Sequence, residues 1–408
     1  MTMMRRLKLQ PALNPSQRKK NKPKNPDMGE QPNGYYQPSP ASEALEHIEA
    51  LRRSIADLFL VYDTTLDYPQ KDHFRFRGRF LVDPGESYAD LRQRYERHGY
   101  TPLVEPGEDN RASLIALPVV FETTKTRPLI NLILLIVTIF STLFVGASYG
   151  AETTDQAMQL WRGWPFSLSI LLILGAHELG HYFAARYHRV PVTLPYFIPM
   201  PFSPFGTLGA FIRLQGPVNN RRALFDVGAS GPLAGLVFAV PILLIGLATS
   251  DLIPVTPGTT FEGNSLLYLA AKFLAHRQIL PGDGVDVLLN QVAWAGWVGL
   301  FVTGLNLLPV GQLDGGHVAY ALFGQKARLL FWPVIAGLAL IVVLTYLSGS
   351  PALTWALWIG LLMFLGRVHA RPLEDISDLD PRRKALAIIT LGLFFLTFVP
   401  APLVAIIR

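Results

Sequence analysis

Residues 171 to 188 read LLILGAHELGHYFAARYH, and within this oily run His177, Glu178 and His181 stand close together. Residues four apart on a helix lie on one face, one turn above the other. His177 and His181 can therefore offer two ring nitrogens to one ion, with the Glu178 carboxylate beside them. H-E-x-x-H is the pattern in which two histidines hold zinc and the glutamate takes a proton from the attacking water. Bound zinc lowers the pKa of water toward about 7, so a carboxylate completes the deprotonation near neutral pH. Chance matches to the pattern sit on exposed helix faces, but here the flanks are apolar. An ionisable residue at the centre of a span costs about 2.5–3.5 kcal/mol on insertion scales, and three occur together. A polar cluster that merely joins helices is the remaining alternative to a metal site.

Two histidines leave zinc short of a ligand. His188 comes round to nearly the same helix face, yet it lies about 10 Å beyond His181 along the axis, against zinc bonds of about 2 Å. The better candidate is Asp314, in the stretch GLNLLPVGQLDGGHVAYALFG. Pro309 breaks the preceding helix, and Gly311, Gly315 and Gly316 permit a tight, irregular backbone. Unwound backbone at membrane depth is tolerated only where protein covers it or a wet cavity abuts it. An aspartate set there between Leu313 and glycines wants a cation. His317 is a minor rival, better suited to supporting a ligand than to being one.

The elements that must position these residues belong to a membrane protein. Of 408 residues, 50% are hydrophobic and only 16% charged, and there is no cysteine. That composition excludes disulfides, thiolate nucleophiles and Cys-based zinc sites. Apolar stretches lie near 128–148, 166–186, 224–249, 290–309, 329–348, 353–366 and 384–402. Spanning takes about 20 residues, so the sixth is short. With the N-terminus inside, the loops holding Arg186, Arg189, Arg213, Arg221 and Arg222, then Lys326 and Arg328, then Arg367, Arg371, Arg382, Arg383 and Lys384 all fall inside. The 250–289 loop falls outside, with Asp251, Glu262, Asp283 and Asp286 against Lys272 and Arg277. The pattern predicts a polytopic α-helical membrane protein of about seven spans, with the site some 13 Å below the inner edge.

Ahead of the spans the chain reads as soluble. Residues 1–41 form a basic tail, with eight Lys and Arg before Asp27, too poor in apolar residues to fold. It lacks the apolar run of a signal peptide, so no cleavage is expected. A solvated tail at a membrane surface explains its charge; nucleic acid is not an expected partner, because no aromatic–basic platform accompanies it. Residues 42–122 predict a small α+β domain. Leu45, Ile48, Leu51 and Ile55 recur at helical spacing, FRFRGRFLV alternates as a strand, Ser87 can cap YADLRQRYERH, and TPLVEPGEDNRASLIALP makes two strands around a turn. The stripe of Arg75, Arg77 and Arg79 suits a solvated sheet face. Residues 123–408 form the transmembrane domain.

HELGH together with NLLPVGQLDGGH resembles the site-2 proteases, zinc metalloproteases of the M50 type that cut within membrane segments. The likeness covers about residues 125–408 and includes PFGTLGAFIRL, GASGPLAGL and LDPRRKALAI. The N-terminal soluble domain resembles the branch found in cyanobacteria, chloroplasts and other bacteria. The resemblance implies that His177, His181 and Asp314 hold Zn2+, that Glu178 is the base, and that Asn306 contacts the substrate or the developing oxyanion. It also implies a transmembrane protein substrate, met among membrane lipid, and regulated intramembrane proteolysis. A multi-pass protein of a bacterial inner membrane, with its N-terminal domain in the cytoplasm, is the expected setting.

PVTLPYFIPMPFSPFGTLGAFIRL carries Pro191, Pro195, Pro199, Pro201 and Pro204, so it cannot be a spanning helix. TLGAFIRL could be an edge strand that pairs with an unwound substrate, or part of a hairpin that plugs the cavity. Gly231 and Gly235 form a small-xxx-small pair, sufficiently explained by close helix packing. An ion-coupled transporter could use the same His, Glu and Asp cluster as a relay, but no internal repeat supports it. An inactive scaffold is disfavoured because no ligand is missing.

Overall fold

The computed structural model of the protein describes residues 40–107, 111–121, 128–256, 260–348, 353–365 and 371–405. The basic tail lies outside them, apart from its last two residues. The chain divides into two compact units, Met1–Glu122 and Thr123–Arg408.

The first unit is a small α+β fold. Helix α1 (Pro40–Ser54) leads into strands β1 (Phe59–Leu66) and β2 (Phe74–Phe80), then α2 (Pro84–Glu96), β3 (Thr101–Pro106) and β4 (Ala112–Leu117). The strands form one antiparallel sheet in the order β1-β2-β4-β3, with Phe76 opposite Leu114 and Leu114 opposite Val104. Phe74, Phe76, Val104 and Leu114 are buried, as are Ile48, Leu51 and Ile55 of α1 and Tyr88, Leu91 and Tyr95 of α2. Helix α2 begins before Ser87. Asp83 is its N-cap, accepting from the backbone N–H of Glu86, and Pro84 supplies a preset first turn. The arginine stripe is engaged by its own sheet: Arg75 donates to Thr65 and lies over the Tyr68 ring, and Arg77 faces Asp63.

The second unit is mostly helical. It runs α3 (Pro128–Ser148), a short α4 (Thr154–Ala157), α5 (Trp164–Tyr187), a hairpin of β5 (Tyr196–Pro199) and β6 (Thr207–Phe211), and α6 (Arg221–Ala248). A mixed segment follows with β7 (Asp251–Pro254), β8 (Thr260–Glu262), α7 (Leu266–His276) and β9 (Val285–Leu288). Then come α8 (Gln291–Asn306), α9 (Asp314–Phe323), α10 (Phe331–Leu347), α11 (Leu353–Leu365), α12 (Pro381–Thr397) and β10 (Leu403–Ala405), which pairs with β8. Four helical segments among the described residues are long and apolar enough to cross a membrane: Pro128–Ser148, Leu160–Tyr187, Arg221–Ala248 and Asp314–Leu347. The other apolar stretches form shorter helices. Helix α8 has 16 residues, about 24 Å at helical rise against a hydrocarbon core of about 30 Å. It is buried along most of its length, because α5 and α6 flank it.

Candidate active site

Helix α5 carries His177, Glu178 and His181 on its buried side, between exposed Trp161 and Trp164 at one end and exposed Tyr187 at the other. Exposed aromatics at both ends mark the two interfaces of a span. His177 is roughly 20 Å along the axis from Trp164 and roughly 15 Å from Tyr187, so the polar residues lie well inside this candidate span and not at its ends. Helix α9 brings the third group. Residues 307–313 turn the chain after α8, and Asp314 is the first residue of the new helix. The turn depends on two glycines: a Cβ at Gly315 would lie 2.0 Å from the Leu307 carbonyl oxygen, and one at Gly316 2.5 Å from that of Gly311. The helix N-terminus also favours a carboxylate there.

The donors converge. His177 Nε2 and His181 Nε2 are 3.1 Å apart. Asp314 places Oδ2 3.2 Å from His177 Nε2 and Oδ1 3.3 Å from His181 Nε2. A tetrahedral zinc with bonds of about 2.0–2.1 Å has ligand–ligand edges of about 3.3–3.4 Å. The triangle matches that size and is the only such group of three or more among the described residues. Its chemistry fits too. His181 donates from Nδ1 to the Val227 carbonyl at 2.6 Å, which leaves Nε2 as an electron-pair donor aimed at the same point as the carboxylate.

Glu178 is buried next to this group, its carboxylate facing the backbone of Ile212, the residue after β6. Asn306 ends α8 with its amide nitrogen 3.4 Å from His177 Nε2. His188 is elsewhere: Nε2 meets Asp226 at 2.7 Å, and Asp226 is also gripped by Arg383 of α12. His317 is outside the donor triangle and packs its Cβ near Gly228 of α6. The Val227 and Ile212 contacts are invisible at the level of residue types, because both are made by backbone and any side chain could stand there.

The proline-rich stretch forms the β5–β6 hairpin. β5 lies against α3, whose Asn131 donates to the Leu194 and Pro195 carbonyls and whose Ser141 donates to that of Gly206. β6 lies nearer α5, with Leu208 and Phe211 exposed. The sheet has two strands, so the second edge of β6 has no strand partner among the described residues.

Residues 165–348 match the sequence model of peptidase family M50. The chain is 34% identical over 246 residues to the probable zinc metalloprotease EGY1, chloroplastic, of Arabidopsis thaliana, a match spanning 58% of this chain and 42% of that protein. It is 30% identical over 376 residues to the probable zinc metalloprotease EGY2, chloroplastic, of the same plant, spanning 88% of this chain and 65% of the relative. The chain thus covers less than two thirds of the length of these relatives. No solved structure matches it.

Proposed function

We propose that this chain, whose residues 165–348 match peptidase family M50, is an intramembrane zinc metalloprotease that hydrolyses peptide bonds in membrane-anchored proteins. The observation that carries this reading is the donor triangle of buried His177 and His181 with half-buried Asp314, sized for one tetrahedral zinc, with Glu178 beside it. His177, His181 and Asp314 would hold the zinc, which when bound would supply a Lewis acid and a water acidic enough to lose a proton near neutral pH. Glu178 takes the proton from the attacking water as the new C–O bond forms, and returns it to the amide nitrogen as the C–N bond breaks. Asn306 donates its amide N–H to the oxygen on which negative charge develops. An ion carrier, the other use of such a cluster, finds no support among relatives named as zinc metalloproteases.

A helical substrate hides its carbonyls in its own hydrogen bonds, so it must unwind before attack. The free edge of β6 offers replacement backbone partners, by strand addition. Substrates are therefore single-span proteins with helix-weakening residues near the cytoplasmic end of the span. We further propose seven membrane crossings, made by α3, α5, α6, α8, α10, α11 and α12. The N-terminal unit and the arginine-bearing loops then share the cytoplasmic side, as in a bacterial inner membrane.

The test is Glu178→Gln in purified, zinc-loaded, full-length protein, given a single-span peptide with a Gly- and Pro-weakened helix. The variant should keep its zinc and lose about 10²–10⁴ in rate, the usual worth of a general base. Equal turnover by the two proteins would remove Glu178 from the mechanism.

A further inference from the structure

Helix α6 meets α5 through glycine, and it does so at the histidines. A Cβ built on Gly231 would stand 2.1 Å from His181 Nε2, 2.3 Å from Cε1 and 2.5 Å from Cδ2. No side chain tolerates such distances, and no flexible tip is available to yield: the atoms are the imidazole edge that carries the metal-facing nitrogen. One turn earlier on α6, the Val227 carbonyl accepts from Nδ1 of the same ring at 2.6 Å. Thus one helix holds both edges of His181, one by a hydrogen bond and one by flat contact with bare backbone. The neighbouring position is milder. A Cβ on Gly235 would lie 3.3 Å from His177 Nδ1 and 3.4 Å from its Cβ, tight but within reach of a small shift.

We propose that Gly231 is a positioning residue for the metal centre: the notch it leaves in α6 seats the His181 ring so that Nε2 reaches the point shared with His177 and Asp314. The inference rests on the metal-site reading above and goes beyond ordinary helix packing. The same molecule supplies the contrast. Gly246 and Gly296 also allow close approach, a Cβ there falling 2.2 Å from Ala293 N and 2.6 Å from Leu243 Cα. Those contacts are between helix backbones and touch no metal donor.

The experiment compares full-length wild type, Gly231→Ala, Gly235→Ala and Gly296→Ala in detergent. It reads zinc affinity by chelator competition, and the visible spectrum after cobalt replacement. Gly231→Ala should lose about 10–100-fold in zinc affinity and change the cobalt spectrum, Gly235→Ala should stay within about threefold, and Gly296→Ala should melt earlier while its folded fraction binds zinc as tightly as wild type. The 10–100-fold worth of a group that orients a metal-binding histidine sets this scale. A Gly231→Ala protein with wild-type affinity and spectrum overturns the proposal. A double-mutant cycle guards against simple misfolding. In metal-free protein, Gly231→Ala should lower Tm when His181 is present and leave it unchanged when His181 is already alanine. An equal loss in both backgrounds also overturns the proposal. Wild type that binds no zinc would instead refute the metal-site reading, while the metal-free cycle still reports on the seat.

Discussion

Lys272 is fully buried between two carboxylates, 2.8 Å from Asp286 and 3.8 Å from Glu262, with the Tyr268 hydroxyl donating to Glu262. His177 and His181 are buried and Asp314 half-buried beside them, but the described ion pairs of Asp314 are with the two histidines alone. The Lys272 cluster carries its own cation on α7. The other cluster, on α5 and α9, converges two ring nitrogens and a carboxylate on one point, with no Lys or Arg among its described ion-pair partners. Burial of charge is costly in both places, and only groups with a partner tolerate it. The comparison therefore separates two uses of one expensive material: a self-neutralised cluster that fastens the 251–288 segment, and a set of converging donors of the kind that could hold a metal ion.

The largest expected effect is on the donor cluster. Asp314→Ala should lower zinc affinity by at least about 100-fold, more than the loss of a group that merely supports a ligand. Zinc per chain after mild chelation measures it, with His188→Ala as a control that keeps its metal. Retention by Asp314→Ala together with loss by His317→Ala would move the third ligand to the histidine.

Lys272→Met should act the other way round. Two buried carboxylates lose their counter-charge, at a cost of about 3–5 kcal/mol, read as a lower Tm, while zinc stays bound. Should this substitution strip the zinc, the two clusters are coupled and the contrast between them fails.

The smallest effect is a drift with pH. Burial pushes the Glu262 carboxyl above its ordinary value, against the opposing pull of the Tyr268 hydroxyl and Lys272; the nearby Asp286 charge pushes the same way as burial. The folded state thus holds this proton more tightly than the unfolded chain does. The stabilisation is fully present below the unfolded value of about 4.3 and is lost as pH rises through the folded value. Tm followed across that window should fall in wild type and fall less in Glu262→Gln; identical slopes would show that Glu262 does not titrate there.

Much of the donor cluster was legible because helical periodicity makes neighbours of His177 and His181, and because Pro309 and the glycines around Asp314 announce a broken segment. The partnership of Gly231 with His181 was not, since nothing in a sequence tells which face of one helix meets which residue of another. The Lys272 cluster was hidden for a similar reason: Glu262, Lys272 and Asp286 read as scattered charges of a solvated loop until the fold brings them together. In the N-terminal unit the helices and three strands followed their patterns. Strand β1 escaped notice because its register shifts between Val61 and Asp63, which spoils the alternation of buried and exposed residues. The start of α2 was misplaced because Asp83-Pro84 is a stronger opening than Ser87.

The hairpin beside Glu178 has a direction, and direction bears on selectivity. β6 runs from Thr207 to Phe211, and the residue just past its end faces the Glu178 carboxylate. A chain added antiparallel to its free edge runs the opposite way, so the N-terminal end of the paired stretch is the end nearest the base. The residues gripped by the strand then lie downstream of the severed bond. With such pairing, side-chain preferences would be set mainly in the half that leaves as the C-terminal fragment, carrying the new N-terminus, and changes to Leu208 or Phe211 should alter the choice of residues on that side before they alter the rest.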